Sequence, residues 1–467
     1  MKRKKPILEK LSVSDYAAEG RSLARIDGKV VFIEGAVPGD VVDVQLSKNK
    51  KDWAEGRAIR FHTLSNTRTQ PFCSHFGTCG GCKWQMLPYE KQLEYKQQEV
   101  EQHLRRIGKI ALPPLMPILG SARTQAYRNK LEFTFSNKRY LTHEEIKDGV
   151  PVAPENALGF HVPRIFDKVI AIEECHLMDP VNNRLRNGIR DFALRQGYSF
   201  YDIKQHTGWL RNLIIRYCST GELMVNVCIA YDDPVEIPRL MDHILQLEPA
   251  ITTLLYTINP KWNDSMYDLT PVTYNGKGYL LEKLDEFVFK IGPKSFFQTN
   301  TGQAETLYRV VREFAGLTGQ EVLYDLYCGT GSIGIFLSRG ARKIIGVETV
   351  AEAVADAKEN ADLNGLTNTA FFSGDVIDVC TAEFFAEHGQ PDVVITDPPR
   401  AGMHGRLVEK LLEVAAPRIV YVSCNPATQA RDLALLDAAY TVEKIQPVDM
   451  FPHTHHIESV VLLQRRL

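Results

Sequence analysis

Cys424 is the residue in this chain best placed to act as a nucleophile. It stands directly after Arg418-Ile-Val-Tyr-Val422, a β-branched run that reads as a buried strand, and Pro426 cannot continue that strand. The thiol therefore falls at a strand's carboxyl end, where open α/β sheets keep their binding crevices. A lone cysteine is as readily an inert apolar filler, so its company matters. Upstream, the strand-like Val393-Val-Ile-Thr396 runs into Asp397-Pro398-Pro399-Arg400, whose prolines would form a rigid wall across the crevice. Downstream, Asp449-Met-Phe-Pro-His-Thr-His-His-Ile-Glu458 precedes a last apolar run, Ser459-Val-Val-Leu-Leu463, and brings a carboxylate to the same edge. A thiol and carboxylates converging there can bond a substrate covalently and then move a proton.

A second concentration of sulfur lies at Cys73-Ser-His-Phe-Gly-Thr-Cys79-Gly-Gly-Cys82. Three thiols this close, with glycines that let the backbone fold tightly, read as metal ligands, and a fourth ligand is required for structural zinc or an iron–sulfur cluster. Cys175 is the first candidate for it, ahead of His75 and His176; the spacing leaves both kinds of centre open. Nine cysteines in a chain that starts with no export signal point to metal binding or catalysis rather than disulfides.

The positioning elements follow from pattern. Glu321-Val-Leu-Tyr-Asp-Leu-Tyr327 reads as a strand running into Cys328-Gly-Thr-Gly-Ser332-Ile-Gly334, and Lys343-Ile-Ile-Gly-Val347 as a second strand ending in Glu348. A glycine loop after a strand, opening a helix, with an acid about twenty residues beyond, predicts an adenosine-containing cofactor whose ribose is held by Glu348. NAD and S-adenosylmethionine compete for such a loop, and the later motifs favour the second.

From about residue 296 strands and helices alternate, the signature of a parallel α/β sheet. Residues 8 to 62 instead show short strand runs with turn signals at Asp27-Gly28 and Pro38-Gly39, a small all-β module. Residues 87 to 108 read as a helix, and 117 to 290 as a mostly β, irregular segment. Within it Tyr127-Arg-Asn-Lys and His206-Thr-Gly-Trp-Leu-Arg211 interleave basic and aromatic residues, which suits stacking on bases and equally suits half-buried strand faces.

With 467 residues the chain needs two to four domains. A net charge of −2 excludes a uniformly basic nucleic-acid binder but not a local basic face; residues 1 to 70 hold fourteen Lys and Arg against nine Asp and Glu. Met1-Lys-Arg-Lys-Lys5 is followed by no apolar stretch and no run approaches a membrane span, so a cytoplasmic protein without membrane contact is expected.

The glycine loop, Asp-Pro-Pro-Arg, Ser423-Cys-Asn-Pro426 and the terminal Phe-Pro-His-Thr-x-His-x-Glu together resemble the RNA uracil-C5 methyltransferases. Gly35-Ala-Val-Pro-Gly-Asp40 resembles the OB-like TRAM domain, and with the cysteine cluster the chain looks most like the branch acting on 23S ribosomal RNA. The resemblance implies a TRAM barrel over 1–64, a central RNA-binding and iron–sulfur domain over 65–84 and 117–295, and a class I, Rossmann-like methyltransferase domain over 85–116 and 296–467. It implies Cys424 as nucleophile and Glu458 as base; His453, His455 and His456 are rivals for the base, though orienting the loop or contacting phosphate is the reading favoured for them. Gln298, Tyr327, Ser332, Glu348, Asp375 and Asp397 would line the S-adenosylmethionine site, although the family often carries Asn where this chain has Ser332. Cys73, Cys79, Cys82 and Cys175 would hold a [4Fe-4S] cluster, and Phe296 would stack on a uridine that is flipped or single-stranded. The expected enzyme is a monomer. A transfer-RNA uracil methyltransferase is the runner-up, and an iron–sulfur NAD-dependent oxidoreductase is the reading from another class, one that leaves Cys424 and Glu458 idle.

Overall fold

A computed structural model describes residues 5–149 and 155–466; most of the basic stretch at the start of the chain lies outside them. Ile7–Thr63 form a six-stranded, mainly antiparallel sheet over a small apolar core that includes Val31, Ile33 and Val44. The Gly-Asp signal in this module has a physical origin. Asp40 is fully buried and accepts from the Val37 and Ser65 backbone N–H groups, at 2.8 and 2.9 Å, and from Arg68 at 2.6 Å. Gly39 must adopt φ 94° beside it, and a Cβ there would lie 2.7 Å from Ser65 Oγ.

The segment expected to be mostly β is mixed. Its seven-stranded sheet carries two helices, Val181–Gln196 and Glu236–Leu247, whose apolar faces fill the core with Leu185, Ile189, Leu240 and Ile244. The helical spacing was present in the sequence but masked: Gly188 and many polar residues dilute the first, and Pro238 sits in the first turn of the second, where its missing N–H costs nothing. The interleaved basic and aromatic residues are mostly interior, since Tyr127, Trp209 and Arg211 are all buried. Arg211 donates to the carbonyls of Asn259 and Asn263, at 2.8 and 2.9 Å.

The C-terminal sheet runs, edge to edge, Thr369–Ser373, Lys343–Glu348, Val322–Leu326, Val393–Thr396, Arg418–Ser423, Glu458–Arg465, Tyr440–Val448. All are parallel except Glu458–Arg465, which inserts between two earlier strands and runs against both. These strands are apolar on both faces because helices cover both. The helix Tyr89–His103, far upstream in the chain, packs on this domain beside Pro426–Leu436. Among the described residues no helix is long and apolar enough to cross a membrane.

Candidate active site

The antiparallel insertion makes the site. Ser423 lies opposite Ser459, so the next residues outward, Cys424 just past its strand and Glu458 at the start of its own, come together at the carboxyl end of the sheet. Thr396 lies beside Tyr421, which brings Asp397 to the same end from the adjoining strand. Asn425 accepts from the Ala427 N–H at 3.1 Å and caps the helix that Pro426 opens, so strand, thiol and helix follow without an intervening loop.

Cys424 is half-buried and Glu458 is buried. The thiol is pushed up to about 11, first by burial and then by the charges of Glu458 and Asp397, with Arg400 opposing both. Burial carries Glu458 well above the ordinary carboxylate range, with the Asp397 charge adding to it. Burial also raises Asp397 to about 7. A site in which a thiol and two carboxyls all resist ionisation is short of positive charge, and Arg400 supplies what there is. Arg400 also bonds His456 Nδ1 at 3.2 Å, while its carbonyl accepts from Asn425 Nδ2 at 2.9 Å. Sequence reasoning gave Arg400 no role, although a cation at the end of the Asp-Pro-Pro-Arg motif was a usable signal.

The three histidines hold the loop before Glu458. His453 adopts φ 64°, and its N–H donates to Gln92 Oε1 at 2.8 Å while Gln92 Nε2 meets its Nδ1 at 3.1 Å. Its carbonyl accepts from the Lys83 and Trp84 N–H groups. Burial depresses His453 and His456 to about 4 and His455 to about 3, so all three are neutral and weakly basic at neutral pH. Lys96, on the same helix as Gln92, donates 2.6 Å to Asp449, both groups being fully buried, and Tyr89 Oη donates to the other Asp449 oxygen at 2.8 Å. Removing one partner of such a buried pair costs about 3–5 kcal/mol, so the helix fixes the loop and with it Glu458. Lys96, Gln92 and Asp449 are positioning residues that no local sequence signal marks, because more than 350 positions separate the partners.

The glycine loop lies along the same carboxyl edge. Tyr327, Gly329 and Gly331 all have positive φ, at 63°, 54° and 77°, and the loop bends sharply into Ser332–Leu337. A Cβ on Gly331 would press on Ala357 and Phe371, whereas the space at Gly329 is open. Glu348 Oε2 accepts from the Gly329 N–H at 3.1 Å, and its Oε1 accepts from Val350 N–H at 3.0 Å. Asp325, buried and raised to about 7 by burial, takes the Gly334 N–H at 2.9 Å with one oxygen and leaves the other without a partner. An open glycine face, an orphaned buried carboxylate oxygen and a ribose-height glutamate fit a cationic adenosyl ligand. Asp375 caps Val376–Val379 and its charge is felt by Tyr327. Ser332 commits its hydroxyl to Tyr308 Oη, 2.8 Å away. Gln298, three residues before the helix Thr301–Ala315, accepts at its carbonyl from Asn129 Nδ2, 2.9 Å away, and Phe296 nearby is 72% exposed.

The cysteine cluster is drawn together from two parts of the chain. Cys73, Cys79, Cys82 and Cys175 are free, partly exposed thiols that feel one another electrostatically. Burial and this mutual repulsion push Cys79 to about 11 and Cys82 to about 12. Among the described residues no three such side chains are arranged to hold a single metal ion. Gly80 at φ 76° passes so close to Pro163 that a Cβ would overlap it at 2.2 Å.

Comparison with known proteins agrees with this geometry. Residues 277–466 match the model of the tRNA (Uracil-5-)-methyltransferase family and residues 9–59 that of the TRAM domain. A protein of Bacteroides thetaiotaomicron described as an uncharacterized RNA methyltransferase is 56% identical over 96% of this chain and all of its own length. One of the same description from Porphyromonas gingivalis is 51% identical over 97% of this chain and 99% of its own. The crystal structure of Pyrococcus abyssi tRNA (uracil-54, C5)-methyltransferase in complex with S-adenosyl-L-homocysteine superposes with a TM-score of 0.73, at 27% identity, over 98% of this chain and all of that one.

Proposed function

Because the chain belongs to the S-adenosylmethionine-dependent RNA uracil-5-methyltransferases and carries their TRAM domain, we propose that it methylates carbon 5 of a uridine in 23S ribosomal RNA through a covalent adduct at Cys424. The observation that carries this reading is a thiol and a carboxylate brought together one residue beyond the last pair of adjoining antiparallel strands, along the same sheet edge as a glycine loop of adenosine-binding form.

Carbon 5 of uracil is too poor a nucleophile to attack unaided. Addition of the Cys424 sulfur to carbon 6 forms an S–C bond and moves the ring's π pair onto carbon 5 and O4 as an enolate. Arg400 offsets the negative charge on sulfur before the bond forms. Bound S-adenosylmethionine supplies an electrophilic methyl group to carbon 5. Glu458 then takes the proton still on carbon 5; the electrons of that C–H bond restore the double bond and expel Cys424 as thiolate. Asp397 would lie between the bound cofactor and the uracil edge. Glu348, Tyr327, Gln298 and Asp375 hold the cofactor, and residue 332 contributes through its backbone, since its hydroxyl is committed elsewhere. Phe296 stacks on the extruded base. A cleft of about 500 Å³ beside Gln298, lined by Arg123, Arg128 and Lys283, suits the surrounding phosphates.

Division into a barrel over 1–64, a central domain over 65–84 and 117–295, and a catalytic domain over 85–116 and 296–467 is the corresponding proposal for the chain's organisation. One chain carries every group the reaction needs, so the enzyme works as a monomer, in the cytoplasm with its RNA. Cys73, Cys79, Cys82 and Cys175 would hold a [4Fe-4S] cluster, whose chemistry would be that of a cross-link between the 73–82 loop and the segment before Val181–Gln196, since the reaction has no redox step. Protein purified without oxygen is expected to carry about four iron and four sulfide per chain, and Cys175→Ser to lose both. Colourless protein carrying only zinc rejects the cluster.

Transfer RNA is the second reading, favoured by the likeness to the Pyrococcus enzyme. Mapping 5-methyluridine in cells lacking the protein decides: loss at a 23S position with transfer RNA unchanged is expected. Loss in transfer RNA alone selects the second reading, and no loss in either overturns both.

A further inference from the structure

A cavity of about 260 Å³ lies between the N-terminal sheet and the helix Tyr89–His103, away from the reacting groups. Its size is at the small end of ligand sites, which run from roughly 300 to 1,000 Å³. Aromatic rings build its walls: Tyr16 packs against Tyr95 and Trp84 at centroid separations of 4.2 and 5.4 Å, and Phe32 closes the sheet side. Two of its buried polar atoms have no partner among the described residues. Tyr16 is 8% exposed, yet its hydroxyl has no hydrogen-bond partner, and His103 Nδ1 is buried and equally unpartnered. Glu99 lines the cavity and joins no ion pair among the described residues; burial raises it to about 7, against a backbone hydrogen bond from Glu19 and the nearby Lys96 charge. Gln98 and Gln102 lie on the same helix wall, and Arg25 and Arg106 stand exposed at its mouth, also outside any ion pair among the described residues.

Flat apolar walls, unsatisfied hydrogen-bonding groups inside and free guanidinium groups outside match a nucleotide, its base within and its phosphates at the rim. In its ionised form Glu99 can accept two adjacent N–H donors, which guanine presents at N1 and N2, and two such donors would draw the raised carboxyl into that form; the corresponding edge of adenine offers one donor and one acceptor. The cavity wall is continuous with the catalytic loop: Trp84 donates its backbone N–H to the His453 carbonyl at 3.0 Å and its indole N–H to the Gly20 carbonyl at 3.4 Å, and Gly20 packs so close to His455 that a Cβ would lie 2.9 Å from it. The cavity wall and the loop that leads to Glu458 are thus in direct contact.

We propose that this cavity is a second base-binding subsite, which takes a guanine of the substrate RNA at a fixed distance from the methylated uridine and so selects the sequence around it. The assignment rests on the RNA-methyltransferase reading for the source of its ligand, and the test keeps the two apart. Binding of guanosine, adenosine and uridine 5′-monophosphates to the full chain is measured by saturation-transfer NMR, for wild type, Glu99→Gln and Arg106→Ala. Methyl transfer to total RNA from cells lacking the protein is measured alongside.

Wild type is expected to favour the guanosine nucleotide, and Glu99→Gln to weaken it about tenfold or more, because the new amide sets a donor against the base's own donors. The Michaelis constant for RNA rises correspondingly, and Arg106→Ala, an exposed change that does not touch the core, weakens both to a smaller extent. A wild-type enzyme that methylates RNA while both variants match it in binding and Michaelis constant overturns the subsite alone. Guanosine binding that Glu99→Gln abolishes supports the subsite even where wild type methylates no RNA, a result that defeats the functional reading alone.

Discussion

Cys424→Ala is expected to lose methyl transfer by about six orders of magnitude, the scale on which removing a covalent nucleophile acts in other enzymes. It is also expected to yield no RNA adduct resistant to denaturation. The size of the effect follows from the absence of a substitute: without sulfur at carbon 6, no other group near the sheet edge can turn carbon 5 into a carbanion equivalent. Glu458 and Asp397 are there, but burial favours their neutral forms, and a carboxylic acid does not add to a pyrimidine. The substitution itself is mild, because Cys424 is half-buried and its principal polar neighbour is the flexible Arg400. Retention of S-adenosylhomocysteine and an unchanged thermal transition will separate lost chemistry from lost structure. Appreciable turnover by the folded variant rules out the covalent mechanism.

The parts of this site that could be read in the sequence are those where function and strand ends coincide. Arg418-Ile-Val-Tyr-Val422 and Val393–Thr396 announce buried parallel strands, so residue pattern alone puts Cys424 and Asp397 at carboxyl ends, and the glycine loop with Glu348 follows in the same way. Their partners could not be found like this. The pairing of Cys424 with Glu458 depends on Glu458–Arg465 entering the sheet between two earlier strands, a choice of strand order that no local pattern encodes. Lys96 and Gln92 read as ordinary polar residues of a charged helix; only the fold shows that both are buried against Asp449 and His453. The helices of the central segment failed for a different reason. Val181–Gln196 is diluted by Gly188 and many polar residues, whereas Glu236–Leu247 carries Ile237, Leu240, Met241 and Ile244 at ordinary helical spacing and is obscured by Pro238 in its first turn.

Glu458→Gln is expected to uncouple the two halves of the reaction. Glu458 is among the groups that hold the Cys424 thiol at about 11, after burial, so replacing it with a neutral amide lowers that value. The nucleophile is active without its proton, and a lower value means more thiolate at any pH below it; adduct formation should therefore start at lower pH than in wild type. Release behaves oppositely. The environment that raises Glu458 far above the ordinary carboxylate range makes its ionised form a strong base, and glutamine offers no base at all. Proton removal from carbon 5 should slow by about 10²–10⁴-fold, the usual contribution of a positioned base. The variant ought then to accumulate RNA that is already methylated yet still bound to sulfur, visible as a stable complex on denaturing gels and as methyl label in a single turnover. Wild type, needing both groups deprotonated, should gain turnover steadily as pH rises from neutrality, whereas the variant's slow release should lose most of that dependence. If the variant turns over at the wild-type rate, or if no complex builds up while methyl transfer slows, another group removes the proton. His456 would be tested next, since its bond to Arg400 places it nearer the thiol than the other histidines are shown to be.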